Sequence, residues 1–299
     1  MKKKILILGG TGFIGYHLAK KALKKKFSVT SISKHHPIKK RYLKNVNYII
    51  FDITNKKLLR KNLKLNFDYV VNLAGYVDHS EKKKVYESHY LGCKAVANYF
   101  LKKEIKSFIQ VGSSMEYGYL KSPQYEDLKC NPRSAYGNAK FLSTKYLLNL
   151  FEKKNFPVTI LRLYQVYGTH QDLNRFIPIV INSCKNNKIF PCSHGNQHRD
   201  FLYVEDLIDA FFLILNNDKS RGQVINIGYG VPIRIKNIIK RIVNFYGAGK
   251  PQFNKIKLRK EEQMIVYPSL YKAKKILKWK PKINFITGLK KTISYYNCN

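Results

Sequence analysis

The chain has 299 residues, of which 56 are Lys or Arg and 18 are Asp or Glu, giving a formal net charge of +38. Such a length buries a substantial core and suits one large α/β unit or two intimate lobes. The first apolar run is broken by Gly9 and no later one could cross a bilayer, so no leader or membrane insertion is expected and the chain reads as cytoplasmic. The lysines are spread over nearly every segment with no basic arm or recognition motif, which argues for a solvated face and against a specific nucleic-acid partner. Long-range attraction of dianionic ligands is still expected. Five cysteines, Cys93, Cys130, Cys184, Cys192 and Cys298, show no paired metal spacing, so free thiols and no metal site are expected.

In chain order the pattern predicts a strand Lys4 to Leu8, a glycine turn, a helix Gly15 to Lys25 and a strand Phe27 to Ser33. A strand Val46 to Phe51, a helix Lys56 to Leu63, a strand Tyr69 to Leu73 and a helix Tyr86 to Lys102 follow. Next come a strand Phe108 to Val111, a helix Ser134 to Phe151 and a strand Pro157 to Leu163. This βαβ alternation demands a parallel, doubly wound Rossmann sheet. Beyond Gly168 the pattern loosens, apart from a helix Val204 to Leu215, into what reads as a smaller C-terminal α/β lobe that caps a substrate. The expected division is a dinucleotide-binding domain at 1–167, to which 199–228 returns, and a substrate-binding lobe at 168–299.

The first turn, Gly9-Gly10-Thr11-Gly12-Phe13-Ile14-Gly15, has the G-x-x-G-x-x-G spacing of a pyrophosphate cradle. Gly9 permits the tight turn, Gly12 lets the backbone approach the pyrophosphate, and Gly15 lets the helix pack close to the strand. A second signature is Ser113, Tyr136 and Lys140. The Tyr-x-x-x-Lys pair projects from one helix face, where the ammonium is expected to draw the phenol down from its ordinary pKa of ~10 toward proton exchange at neutral pH. Ser113, at the end of an apolar strand, can hydrogen-bond the same substrate oxygen.

Together with Phe51-Asp52-Ile53, Val70-Val71-Asn72-Leu73-Ala74-Gly75, Ser113-Ser114-Met115-Glu116-Tyr117-Gly118, Leu161-Arg162-Leu163-Tyr164-Gln165-Val166-Tyr167-Gly168 and Arg199-Asp200-Phe201-Leu202-Tyr203-Val204-Glu205-Asp206, these motifs make the chain resemble the extended short-chain dehydrogenases/reductases that act on nucleotide sugars. The likeness covers nearly the whole length. Lys272 to Pro281 is similar to the family's closing helix and L-G-W-x-P turn, with Lys278 replacing the glycine. The resemblance implies a dinucleotide held by Gly9, Thr11, Gly12, Phe13, Ile14 and Gly15, by Asp52 and Ile53 beside the adenine, by Leu73, Ala74 and Gly75, and by Tyr136 and Lys140. It implies a nucleotide-sugar substrate near Ser114, Glu116, Gln165, Arg175, Arg199 and Arg259, and a homodimer through the helices that start near Tyr86 and Tyr136. Gln165 stands where an asparagine commonly contacts the sugar phosphate, and His89 where the family usually has the asparagine of N-x-x-G. His89 reads as a packing residue.

At the end of the second strand an acidic residue normally holds the ribose 2′-hydroxyl of NAD. Here Ser33 occupies that position, followed by Lys34, His35 and His36, so NADP(H) is favoured over NAD(H). Family dehydratases resemble one another in an Asp-Glu pair after the serine, which a C5 proton removal and C6 hydroxyl expulsion require; here those positions are Ser114 and Met115. Methionine exchanges no proton. The expected activity is therefore reduction of a 4-keto-(6-deoxy)hexose nucleotide at C4, with Tyr136 as the acid. A 4-epimerase that retains NAD is the alternative, and a non-catalytic dinucleotide sensor or nucleic-acid-binding protein the alternative of another class. Glu116 either touches substrate or caps the turn that follows it.

Overall fold

Strands such as Ile5-Leu6-Ile7-Leu8 are apolar on both faces and find shelter only where helices cover both sides of a sheet. The computed structural model, which describes residues 2–63, 66–78, 80–258 and 262–298, has that architecture. Its first half supplies β1 (Lys4–Leu8), β2 (Ser28–Ser33), β3 (Val46–Ile50), β4 (Tyr69–Asn72), β5 (Ser107–Ser113) and β6 (Val158–Leu163). After β7 (Gln165–Tyr167), β8 (Ile189–Pro191) and β9 (His198–Tyr203), which lie elsewhere, β10 (Gln223–Ile227) joins the same sheet. The order is β3-β2-β1-β4-β5-β6-β10, with every neighbour parallel. The order reverses between β1 and β4, so the carboxyl ends of these strands open a crevice where ligands bind in such sheets.

The connecting helices are α1 (Phe13–Lys24), α2 (Lys56–Asn62), α3 (Lys82–Tyr86), α4 (Gly92–Phe100) and α5 (Ala135–Lys154). Further on come α6 (Phe176–Lys185), α7 (Val204–Ile214), α8 (Ile235–Tyr246), α9 (Tyr271–Leu277) and α10 (Phe285–Asn297). On one sheet face Ile5, Ile7, Val29 and Val71 meet Leu18 and Ala22 of α1, Leu207 and Phe211 of α7, and Leu277 of α9. On the other, Leu6, Leu8, Ile32 and Val70 meet Cys93, Val96 and Phe100 of α4 and Leu147 and Leu150 of α5. Alternate residues of one strand thus feed two separate cores.

A third core belongs to the smaller lobe, where Tyr167, Phe201 and Tyr203 pack on Ile177 and Ile181 of α6, Ile238 and Ile242 of α8 and Leu289 of α10. Around it β9 pairs with β7, with β11 (Pro232–Arg234) and with β13 (Ile265–Val266), while β12 (Lys250–Gln252) pairs with β8. Most of these strands are two or three residues long, too short to impose an alternating pattern that sequence could reveal. Within 199–228, β10 returns to the large sheet whereas β9 stays in the lobe.

Two further features are local, one a difference from expectation and one an agreement with it. The helix expected from Tyr86 to Lys102 is split, α3 and α4 being joined by a π-helical turn, Glu87–Leu91. At the closing turn Lys278 adopts the left-handed conformation at φ 52°, the backbone geometry that the family's glycine would take without a Cβ penalty, and Trp279 Nε1 donates to the Asp206 carbonyl at 3.1 Å.

The end of β5 is secured by a buried charge pair. Glu116 is fully buried, Oε1 accepting the Ser113 amide at 2.9 Å and Oε2 accepting Arg162 Nε at 3.0 Å and Thr144 Oγ1 at 2.9 Å. The Arg162 guanidinium also lies 4.5 Å from the Tyr117 ring centre. Glu116 and Ser113 form a reciprocal capping box, so Glu116 caps the turn and the reading that it touches substrate is corrected. Removing one partner of a buried pair strands the other charge, so Glu116→Gln should lower the unfolding free energy by about 3–5 kcal/mol. Urea unfolding followed by circular dichroism checks this; a loss below about 1 kcal/mol would mean that the pair does not hold the strand end.

Candidate active site

Helix α1 begins without a side-chain cap: Gly12 is its N-cap, no acidic residue occupies its first turn, and Thr11 to Ile14 are partly exposed at the crevice. Its first amides are left for an anion. Gly9 has φ 80°, and a Cβ there would meet the Ala74 amide nitrogen at 2.9 Å; at Gly15 a Cβ would stand 2.4 Å from the Gly9 carbonyl oxygen. This tight, uncapped turn fits a dinucleotide pyrophosphate. The Ala74 amide donates to Asn72 Oδ1 at 3.2 Å, which shapes the Leu73-Ala74-Gly75 turn on the far side of the crevice.

At the end of β2 the Ser33 hydroxyl accepts the Thr11 amide at 3.2 Å, tying the cradle to the ribose side. Lys34 Nζ lies 3.3 Å from Asp52 Oδ2, and Asp52 Oδ1 also accepts the Thr54 amide at 2.9 Å. Asp52 is half-buried at the crevice edge, and the Ile53 side chain is buried against Gly92 of α4.

Ser113, Tyr136 and Lys140 converge at the carboxyl end of β5. Ser134, two residues ahead of Tyr136, caps α5 by accepting the Gly137 amide at 3.0 Å, which starts the helix at Ala135 and turns Tyr136 and Lys140 toward the strand. Lys140 is 4% exposed and donates to the Val111 carbonyl at 2.7 Å, its Nζ lying 5.8 Å from the Tyr136 ring centre. Burial pushes Lys140 down to about 8, against the opposing field of Glu116. Burial likewise pushes the Tyr136 phenol up to about 12; the Ser113 hydrogen bond pulls it back, Glu116 reinforces the rise, and Arg175 opposes it. The expected lowering of the phenol is therefore corrected. Desolvation dominates, and the Lys140 ammonium directs one of its three N–H groups to the Val111 carbonyl.

That carbonyl carries a network which sequence reasoning missed. It also accepts Gln110 Nε2 at 3.0 Å, while Gln110 Oε1 accepts Asn72 Nδ2 at 2.8 Å and the Cys93 thiol at 3.3 Å. A glutamine inside the apolar run Phe108 to Val111 was the available signal, since a buried amide must find partners.

The remaining candidates are distributed less evenly. Ser114 is half-buried in the turn after Ser113, and Gln165 is exposed on β7. Arg175 caps α6 close enough to Tyr136 for its charge to act on the phenol. Arg199 is committed elsewhere: its guanidinium pairs with Glu262 and donates to the Gln263 carbonyl at 2.5 Å and the His198 carbonyl at 2.8 Å. The expectation of a fork open to diphosphate is thus corrected to a latch between β9 and the 262–264 segment. Arg259 lies outside the described residues. Among the described residues no three His, Cys, Asp or Glu side chains gather as metal ligands, and no helix is long and apolar enough to cross a membrane.

The lobe is tied to the cradle helix. His17 Nε2 of α1 lies 2.8 Å from the Thr169 carbonyl, and Arg41, beyond β2, donates to the His170 carbonyl at 2.6 Å and to Asp172 at 2.6 Å.

Comparison with known proteins agrees with this geometry. The chain is 26% identical over 325 residues to dTDP-D-glucose 4,6-dehydratase of Mus musculus, covering 99% of this chain and 89% of that protein. It is 28% identical over 314 residues to a putative UDP-glucose 4-epimerase of Methanocaldococcus jannaschii, covering 99% of each. Among solved structures, UDP-glucuronic acid 4-epimerase from Bacillus cereus in complex with UDP-glucuronic acid and NAD superposes with a TM-score of 0.89 at 25% identity, over 99% of both chains. The model of the NAD dependent epimerase/dehydratase family matches residues 5–228, from β1 through β10. The chain is a member of the NAD-dependent epimerase/dehydratase family, an enzyme family that acts on nucleotide sugars.

Proposed function

We propose that this protein transfers hydride at C4 of a nucleotide sugar, reducing a 4-keto-(6-deoxy)hexose nucleotide with NADPH. The observation that carries the reading is the character of the 113–116 turn beside a phenol that burial keeps protonated. Met115 is exposed and exchanges no proton, and Glu116, the carboxylate of this turn, is spent on Arg162. An elimination of water, which needs a positioned acid and base, has neither in this turn. A protonated phenol hydrogen-bonded to Ser113 suits delivery of a proton to an alkoxide as it forms.

The nicotinamide cofactor, when bound, supplies the hydride. Tyr136 gives its hydroxyl proton to the C4 oxygen, Ser113 holds that oxygen, and Lys140 keeps a cation beneath the phenol while anchored to Val111. Arg175 adds positive charge on the substrate side. The amides of α1 and the Leu73-Ala74-Gly75 turn bind the dinucleotide. Ser33 at the end of β2 supports NADP(H), since no carboxylate there opposes a 2′-phosphate and Lys34, 65% exposed, could turn from Asp52 to it. We take 1–167 with β10 as the dinucleotide-binding half and the lobe as the sugar-binding half. The exposed side chains of Tyr86, Leu91 and Leu142 suit a homodimer across α3 to α5.

A second reading, reversible 4-epimerisation with retained NAD, is supported by the names of the archaeal relative and the Bacillus cereus neighbour. Incubation with 4-keto nucleotide sugars and, separately, with their 4-hydroxy counterparts separates the two: reduction of the ketone consumes NADPH in proportion to product, whereas epimerisation interconverts the 4-hydroxy sugars and consumes none.

Three outcomes are expected. Tyr136→Phe should lower kcat by about 100-fold or more with substrate KM changed less than about threefold; retained turnover would remove Tyr136 as the acid. Because Lys140 in the free enzyme gives up its proton near pH 8, kcat/KM should fall as pH rises through that value. Lys140→Arg should carry the falling limb out of the accessible range even if the rate drops, and an unchanged limb would assign it to another group. Finally, native protein should prefer NADPH to NADH by about tenfold or more, and Ser33→Asp should reverse the preference; equal use of both cofactors by native protein would refute the 2′-phosphate reading.

A further inference from the structure

The π-helical turn Glu87–Leu91 has at its centre a buried histidine, His89, which is 5% exposed. Such turns inside a helix recur at functional sites because the extra residue widens the helix and redirects a side chain. Here His89 reaches the crevice by three contacts. Its Nε2 lies 3.0 Å from the Tyr76 carbonyl. Its ring meets that of Tyr136 nearly edge to face, with centres 5.0 Å apart and planes at 82°. On its other side Gly75 is in such close contact that a Cβ at that residue would fall 1.9 Å from His89 Cε1. Its own carbonyl accepts Ser143 Oγ at 2.7 Å, joining the turn to α5, the helix that carries Tyr136 and Lys140.

We propose that His89 is the positioning residue of the active site: its imidazole is the spacer that sets the Tyr136 ring relative to the Leu73-Ala74-Gly75 turn, and so relative to the dinucleotide that this turn helps bind. The proposal rests on the hydride-transfer reading above for its consequence in turnover, but not for its geometry. A flat ring with one hydrogen-bonding edge meets both demands. The edge fixes the 75–76 backbone through the Tyr76 carbonyl, while the ring supplies the contact that an electron-rich phenol prefers from a neighbouring aromatic edge. An amide of similar reach can make the first contact but not the second. A shift of about 1 Å at the reacting group is enough to cost orders of magnitude in rate, so the spacer should be felt in kcat rather than in binding.

The test compares full-length His89→Ala, His89→Gln and His89→Phe with native protein, recording thermal midpoints alongside two readouts. The first is the ¹³C signal of the Tyr136 ring in ligand-free protein labelled at tyrosine, assigned by its loss in Tyr136→Phe. It should move in the Ala and Gln variants and stay near its native position in the Phe variant, which retains an aromatic contact. The second is steady-state kinetics. The Ala and Gln variants should lose about tenfold or more in kcat with KM for sugar nucleotide and for cofactor within about threefold of native, and Phe should recover most of the loss. A Tyr136 signal unmoved in folded His89→Gln, or a Gln variant as fast as native, would overturn the proposal even if Phe fails to fold. Absence of turnover in native protein would instead defeat the hydride-transfer reading, while the ring signal would still decide the role of His89.

Discussion

A buried ammonium must have an acceptor, and in this protein the Val111 carbonyl at the end of β5 provides it for Lys140. This bond ties α5 to the strand end one helical turn from Tyr136, alongside the Thr144 bond to Glu116 and the Ser143 bond to the His89 carbonyl. The carbonyl is itself held by Gln110, which spans to Asn72 on β4, and Asn72 in turn orders the Ala74 amide across the crevice. Both walls of the site thus hang on one hydrogen-bonded path through the sheet. Glu116 adds a fixed negative charge beside it, which favours the charged form of Lys140 and the protonated form of Tyr136.

The opposite directions in which burial moves these two groups have a chemical meaning. Desolvation penalises charge whatever its sign, so a neutral phenol and a weakened cation are the states that burial favours here. A phenol in this state keeps its proton until a stronger base such as an alkoxide forms beside it, and the phenolate left behind is stabilised by added positive charge nearby. Arg175, drawn close by the start of α6, is one source of that charge supplied by the lobe rather than by the sheet.

Much of this was legible in the residues. The glycine spacing from Gly9 to Gly15 and the regular alternation up to Leu163 led directly to the parallel sheet, because each signal reports a backbone constraint that no distant contact can relax. The Ser113, Tyr136 and Lys140 set was legible for the same reason: a helix face and a strand end leave few ways to arrange them. What sequence could not supply were partners chosen across long separations. Arg199 reads as an anion fork until Glu262, far along the chain, is seen to occupy it. Glu116 could cap or bind until Arg162 arrives from the next strand, and Ile53 shares its motif with Asp52 yet turns inward beneath Gly92. His89 reads as packing, and only the π turn and the contacts of its ring with Gly75 and Tyr136 reveal what it packs.

The late return of β10 bears on how the chain is made. Until residues 223–227 have been synthesised, β6 is the bare margin of a growing parallel sheet, and the α6 and β7 to β9 segments intervene before its neighbour exists. An unpaired apolar strand of this kind is a template for foreign pairing. The seven-stranded sheet is therefore completed only after the polypeptide has passed through β7 to β9, and a chain ending at β6 would leave that margin unpaired.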